Sequence, residues 1–202
     1  MSPVTQIMHF KTTAAYVNNP TDLISNLASK NSDKIDGLAE AYVGFETEDP
    51  SNAFWVMEWT SKSAHDTYHQ SDNFKATQTA ARQVFAGKPS HVFVQFPSTK
   101  GILSAPVTEF VTFTLKAGVT MDKLTPLVNQ LQSKLQGTPN FYGSSWAPVM
   151  DKSNVYYGVL GWTSVQAHWD AVSSGPLKEI IDKVKEIADL WLVHGILTQH
   201  NM

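Results

Sequence analysis

The chain contains an internal repeat. The residues Trp59–His65 read WTSKSAH and the residues Trp162–His168 read WTSVQAH, so five of seven positions agree at an offset of 103 residues. A single fixed period is the mark of a duplicated structural unit, and we therefore predict two copies of one fold, at 1–100 and 104–202. The same offset aligns other identical residues: Thr5 with Thr108, Phe10 with Phe113, Ser71 with Ser174, Lys75 with Lys178 and His91 with His194.

Both copies show the same order of predicted elements. Alternating apolar residues predict strands, and apolar residues spaced by three or four predict helices. In the first copy we predict strands at 4–13, 38–47, 52–60 and 91–96, and helices from Asn19 to Gly37 and from Ser61 to about Phe85. In the second copy we predict strands at 108–116, 141–150, 155–162 and 191–198, and helices at 121–136 and 164–190. A Ser-Ser-Gly-Pro break at 173–176 aligns with 70–73, so we expect both long helices to be interrupted.

This order is βαββαβ, the ferredoxin-like unit, in which two helices cover one face of a four-stranded antiparallel sheet. The other face is left uncovered, and apolar surface in water costs about 25 cal/mol per Å². Fusion holds the second sheet at a high effective concentration. We therefore expect an α+β fold in which two tandem ferredoxin-like repeats pack sheet-to-sheet as an intramolecular α/β barrel, active as a monomer or homodimer.

Composition argues against several other classes of protein. Cysteine is absent, which removes disulfides and thiolate metal ligands. The net charge is −3 and Arg82 is the only arginine, so we expect no nucleic-acid partner. No apolar run is long enough to span a membrane, and the first residues lack the pattern of a secretion signal. We expect a cytoplasmic protein without a membrane partner.

Two motifs in the first copy resemble the dimeric α/β-barrel superfamily, and within it the antibiotic-biosynthesis-monooxygenase-like (ABM) domain. The stretch Glu58–Ala64 is similar to the family's acidic, Trp, Ser and Ala positions, and His69–Phe74 is similar to its His, Ser and Phe positions, with His69 within a position of the usual histidine. The second copy keeps Trp162 but has Gly161 and Val172 where the first has Glu58 and His69. This difference favours the first copy as the functional one.

The resemblance implies a pocket inside each unit, between sheet and helices, and cofactor-independent oxygenation or cyclisation of an aromatic or polyketide-like metabolite. For such chemistry a histidine can move the proton, while aromatic side chains stack on the substrate. Because His65, Tyr68 and His69 are three and four residues apart on one helix, they share a face. We predict His69, or His65, as the catalytic base, and a substrate pocket lined by Trp59, Tyr68, His9 and Trp55.

Other functions remain open at this point. The 22 Trp, Tyr and Phe residues also suit a bulky core, and a non-catalytic stress-related or ligand-binding barrel is one alternative. The ten-residue step from Trp59 to His69 resembles that of heme-degrading relatives, so a heme protein is another. We predict no metal site, because the chain lacks His-x-His and His-Glu-x-x-His spacings. A small apolar or aromatic molecule is the expected partner.

Overall fold

A computed structural model describes residues 3–29 and 35–200. The chain forms two compact units, one comprising Met1–Gln95 together with Thr198–Met202 and the other Phe96–Leu197. The boundary between the units therefore falls between Gln95 and Phe96, a few residues before the predicted linker. No helix among the described residues is both long and apolar enough to cross a membrane.

The first unit has a four-stranded antiparallel sheet in the order β4-β1-β3-β2. The predicted helix from Asn19 to Gly37 is shorter, because it ends at Ala28, and residues 30–34 of that prediction lie outside the described residues. The elements are β1 (Val4–Lys11), α1 (Ala14–Asn18), α2 (Pro20–Ala28), β2 (Leu38–Glu46), β3 (Asn52–Trp59), α3 (Lys62–His69), α4 (Asp72–Ala81) and β4 (Ser90–Val94).

The second unit repeats this arrangement with the strand order β8-β5-β7-β6. The last strand begins three residues earlier than predicted and is longer, at 13 residues. The elements are β5 (Val107–Leu115), α5 (Met121–Leu135), β6 (Phe141–Pro148), β7 (Val155–Trp162), α6 (Val165–Val172), α7 (Gly175–Ile187) and β8 (Ala188–His200). The predicted α+β class and the tandem ferredoxin-like repeats are confirmed.

Serine caps begin the equivalent helices of the two copies. Ser61 Oγ accepts from the Ala64 amide, and Ser164 Oγ accepts from the Ala167 amide, each at 3.1 Å. Such caps satisfy an amide that has no partner within the helix. The predicted interruption is present in both copies: Ser71 caps α4, and α7 begins at Gly175, whose φ of +68° favours glycine. The repeated motif therefore fixes the start of α3 and of α6.

The 103-residue offset does not extend to the last strand of each copy. Gln6 on β1 faces Phe93 on β4, whereas Glu109 on β5 faces His194 on β8. Gln6 and Glu109 are themselves 103 residues apart, so Phe93, two residues beyond His91, occupies the position of His194. In the structure, His91 and His194 therefore do not occupy equivalent positions, and their alignment by sequence is wrong. The stretch of chain from the repeated Trp to this position is two residues longer in the first copy (59 to 93) than in the second (162 to 194), and the identity of the two histidines concealed this difference.

The core of the second unit lies between its sheet and helices. One face of α5 is buried, with Leu124, Val128, Leu131 and Leu135 packed against β5, β7 and α7 residues. The helix-facing side of the first unit holds two separate groups, one around Trp55 and Tyr16 and the other around Trp59.

Candidate functional site

In the first unit, the structure brings together part of the predicted site. Trp59 and His65 are buried, and their rings meet edge to face with centroids 5.2 Å apart. Tyr68 is half-buried, with its ring 5.7 Å from that of Trp59. His69 is exposed and lies against the ring of Phe74, with centroids 3.7 Å apart. The predicted base is thus next to His65, but on the outer side of the cluster.

His9 and Trp55 do not belong to this group, so their place in the predicted pocket is corrected. Side chains alternate between the two faces of a strand, and His9 lies on the face opposite to Trp59, where its Nε2 is 2.7 Å from Glu46 Oε2. Trp55 is on the same face as Trp59 but four residues away along the strand, with Met57 between them, and its Nε1 donates to the Tyr16 hydroxyl at 3.2 Å.

Burial lowers the pKa of His65 below its usual value, although its contact with Asp66 acts in the opposite direction. Desolvation likewise lowers the pKa of His69, with the nearby His91 adding to the effect. Both shifts favour the neutral form of the imidazole. Asp66 Oδ1 lies 2.9 Å from His65 Nδ1, and this partner carboxylate is on the helix surface.

A cavity of about 550 Å³ lies inside the second unit, between the sheet and helices α5, α6 and α7. Its volume is in the usual range for sites that bind small molecules. The buried part of its wall is mostly apolar, and two polar residues interrupt it: Glu109 and His168. The apolar wall is formed by residues that include Phe113, Leu131, Trp146, Leu160 and Trp162.

Glu109, His168 and His194 form a buried polar cluster in the wall of this cavity. His194 Nε2 is 2.9 Å from His168 Nδ1, and His168 Nε2 is 3.6 Å from Glu109 Oε2. Trp162 Nε1 donates to the same Glu109 oxygen at 2.8 Å. Glu109 and His168 line the cavity, and His194 lies behind them. His168 is therefore held between a carboxylate and a second imidazole, one at each ring nitrogen.

This arrangement can accept a proton in either tautomer of His168. If His168 carries its proton on Nε2, the Glu109 carboxylate is the acceptor at the cavity wall. If the proton is on Nδ1 and directed at His194, then both His168 Nε2 and Glu109 Oε2 are acceptors. Because both residues line the cavity, a hydroxyl group bound there can donate its one hydrogen to either acceptor atom. The cluster is thus chemically suited to hold and deprotonate a hydroxyl group.

The same three residues could also hold a metal ion. One donor atom from each of Glu109, His168 and His194 lies within 4.8 Å of the others, and all three are buried. Two imidazoles and a carboxylate suit divalent transition metals. However, His168 presents different nitrogens to its two neighbours, in a chain rather than around a common point. This geometry matches a row of proton carriers more closely than a ligand sphere.

The first unit holds an uncharged version of this cluster. Trp59 Nε1 donates to Gln6 Oε1 at 3.2 Å, just as Trp162 donates to Glu109. His65 corresponds to His168, but its ring meets Phe93, with centroids 4.7 Å apart, where His168 meets His194. The second-unit cluster was not predicted, because its members are distant along the chain and the 103-residue offset pairs His194 with His91. The one usable signal was the change from Gln6 to Glu109 in an otherwise repeated strand.

Trp146, on the cavity wall, has a buried indole N–H without a hydrogen-bond partner among the described residues. Its six-membered ring lies directly over Gly158 of the neighbouring strand, and a Cβ at Gly158 would come within 2.4 Å of two ring atoms. Glycine at position 158 therefore allows Trp146 to lie flat against the sheet. Phe113 stacks on the indole, with ring centroids 5.2 Å apart.

Solved structures with the same fold cover the whole chain. A protein described as a candidate monooxygenase from Lactobacillus acidophilus NCFM has a TM-score of 0.69 and 13% identity, over 100% of this chain and 97% of its own. Another, from Fusobacterium nucleatum, has a TM-score of 0.75 and 8% identity, over 99% and 94%. An anthrone oxidase-like protein has a TM-score of 0.71 and 12% identity, over 99% and 93%.

No family model and no curated protein sequence matches the chain. The structural matches extend over both repeats, at identities too low to carry function with them. These matches confirm the fold that the resemblance implied. Proteins described as monooxygenases share this fold.

Proposed function

We propose that the chain is an enzyme that oxygenates a small aromatic or polyketide-like molecule in the cavity of the second unit, without a resident cofactor. The observation that carries this proposal is the placement of Glu109 and His168 in the wall of an otherwise apolar cavity of about 550 Å³. An apolar ring system fits the wall, and a hydroxyl of that ring system fits the two polar atoms. The shared fold with proteins described as monooxygenases is consistent with this reaction class.

The proposed role of the protein is to take a proton and exclude water. A phenol or enol donates its hydroxyl proton to the Glu109–His168 pair, which leaves an electron-rich anion in an apolar cavity. That anion reduces O₂, and a ring methylene becomes a carbonyl: one oxygen atom enters the product, and the other leaves as water with the two methylene hydrogens. The substrate supplies all the electrons, so the reaction needs no external reductant. His194 holds the His168 ring and shares its proton.

This proposal moves the centre of the chemistry from the first unit to the second. The predicted base His69 lies on the surface of the first unit, and His65 has Gln6 and Phe93 where His168 has Glu109 and His194. A buried carboxylate beside an imidazole stabilises the protonated ring, whereas the carboxylate that His65 contacts, Asp66, lies at the helix surface, where water screens its charge. The first unit would thus be the weaker proton acceptor.

The test is oxygen uptake and product analysis with a panel of polycyclic phenols. We expect Glu109→Gln and His168→Gln each to lower kcat by about a hundredfold, which is the usual contribution of a positioned proton acceptor. The matched control is His65→Gln, at the equivalent position of the first unit, which should retain most activity. Equal losses in H65Q and H168Q, or full activity of both second-unit variants, would contradict the assignment.

A ligand-carrying protein is the second candidate, because the cavity itself would serve both roles. In that case phenols bind in the cavity, but neither oxygen uptake nor product formation follows. Wild-type binding without turnover across the panel would favour this alternative.

A further inference from the structure

The mouth of the cavity is lined by exposed residues, whereas its floor is lined by buried and mostly apolar residues. Two large aromatic side chains that line the cavity are also open to solvent: Trp169 is 47% exposed and Trp191 is 38% exposed. Trp169 follows His168 on α6, and Trp191 lies on β8. Tryptophan at a solvent-open rim offers a flat surface for an aromatic ring and exposes apolar area that a bound ring would cover.

The charged residues at this mouth come from one face of α7. Lys178, Asp182 and Lys185 all line the cavity and are exposed, and their spacing of four and three places them on one stripe of the helix. Lys178 Nζ is 2.5 Å from Asp182 Oδ2, so this pair is close to neutral. Lys185 adds a further positive charge that helps to lower the pKa of Asp182. The rim therefore carries a net positive charge.

The floor of the cavity carries the opposite charge. Glu109 is buried there, and it is the one acidic residue among the buried residues of the described wall. A like charge brought next to a buried carboxylate is strongly disfavoured, whereas an anion at the rim is attracted by lysine. A ligand with one acidic group would consequently enter with its ring system first.

We propose that the cavity takes an aromatic molecule bearing an acidic group, whose anion binds Lys178 and Lys185 at the rim while its rings lie between Trp169, Trp191 and the apolar floor. The acidic group would be a carboxylate or a group of similar charge. This inference uses the cavity of the proposed function and adds the substrate class and its orientation. Lys185 is the main contact, because Asp182 offsets the charge of Lys178.

Two fluorescent probes that differ by one acidic group test this proposal. The anionic probe is 8-anilinonaphthalene-1-sulfonate, and the neutral probe is N-phenyl-1-naphthylamine, which has the same rings without the sulfonate. We expect the double variant K178Q/K185Q to weaken binding of the anionic probe by about fivefold, in line with two exposed charge contacts, and to leave the neutral probe unchanged. Added salt should reproduce the difference in the wild type.

Two further variants make the result specific. Lys183→Gln removes a charge from the same helix at a position that does not line the cavity, and it should leave both probes unaffected. Leu131→Phe narrows the cavity and should weaken both probes, with circular dichroism to confirm that the variant is folded. The proposal is overturned if K178Q/K185Q weakens both probes equally, if K183Q acts like the double variant, or if L131F leaves binding intact.

These experiments distinguish failure of the rim inference from failure of the oxygenase proposal. If the chain turns over no phenol but still distinguishes the two probes through its lysines, the rim inference stands and the oxygenase proposal fails. If neutral phenols are turned over and the lysine variants bind both probes normally, the oxygenase proposal stands and the rim inference fails.

Discussion

His194 Nε2 lies 2.9 Å from His168 Nδ1, and the equivalent of His194 in the other repeat is Phe93. The two copies thus differ in the residue that contacts the imidazole at the end of the repeated motif, which is His65 in the first copy and His168 in the second. In the second copy that imidazole has a polar partner at each nitrogen, whereas in the first it packs against an aromatic ring and contacts a surface carboxylate. This difference is the basis of the predictions that follow.

The two buried tryptophans of the motif should differ in their contribution to stability. Trp162→Phe removes the indole N–H that donates to the buried Glu109, and hydrogen bonds to charged groups contribute about 1.5–3 kcal/mol. Trp59→Phe removes a bond to the neutral Gln6, for which about 0.5–1.5 kcal/mol is usual. Chemical denaturation should therefore show a larger loss in the free energy of unfolding for W162F than for W59F.

Trp146→Phe is the control for this comparison. It removes the same indole N–H from a buried site, but that group has no hydrogen-bond partner among the described residues. We expect a loss smaller than that of W162F, because no bond is broken. A W146F variant as destabilised as W162F would show that ring size, and not the bond to Glu109, determines the effect.

His194 should influence turnover without contacting the substrate. It lies behind His168 and does not line the cavity, so we expect His194→Phe to lower kcat by about tenfold or more and to leave KM nearly unchanged. The variant copies the residue found at Phe93 of the first unit. His194→Gln, which can still hydrogen-bond His168, should restore part of kcat. A rise in KM with constant kcat would instead place His194 in substrate binding.

Acidification should destabilise the fold through His65. Burial lowers the pKa of His65 in the folded chain, and the unfolded chain keeps the ordinary value of 6.5. As the pH falls through 6.5, the unfolded chain binds a proton that the folded chain does not, so the free energy of unfolding decreases until the pH reaches the lowered folded pKa. Above 6.5 the contribution is complete.

Denaturation curves between pH 7.5 and 5 measure this effect. The wild type should lose more stability over this range than His65→Asn, whose side chain does not titrate. Parallel pH profiles for the two proteins would show that another group carries the dependence.

Chelation should leave the proposed reaction intact. If Glu109, His168 and His194 act as proton carriers, dialysis against EDTA removes nothing that the reaction needs, and elemental analysis of the active protein finds less than one transition metal per chain. Loss of activity on dialysis that is restored by one divalent metal would assign the same three residues as ligands.

The fold could be predicted from the sequence because its signals are local and occur twice. Strand alternation, helical spacing and the capping serines Ser61 and Ser164 act within a few residues, and the repeat confirmed each assignment with a second copy. The break before Gly175 was predictable for the same reason. The length of α2 was not, since the apolar spacing that begins at Leu23 does not specify where the helix ends.

The candidate site was much less predictable, because it depends on register. Glu109 and His194 meet because two strands pair at particular residues, and a difference of two residues in the length of chain between the repeated Trp and the last strand changes which residues meet. Short spacings identify residues that share one helix, and for this reason His65 and His69 were the histidines predicted as the base. His9 was placed in the wrong group because the identity of the buried face depends on the partners across the sheet, not on the strand alone.

Fusion of the two repeats has a consequence that identical subunits could not have. In an assembly of two identical chains, one gene specifies both sites, so a glutamate in one site must appear in the other as well. Here position 109 is acidic while position 6 stays an amide. A covalent pair can thus carry different side chains at equivalent positions of its two halves, as it does at Gln6 and Glu109 and at Phe93 and His194.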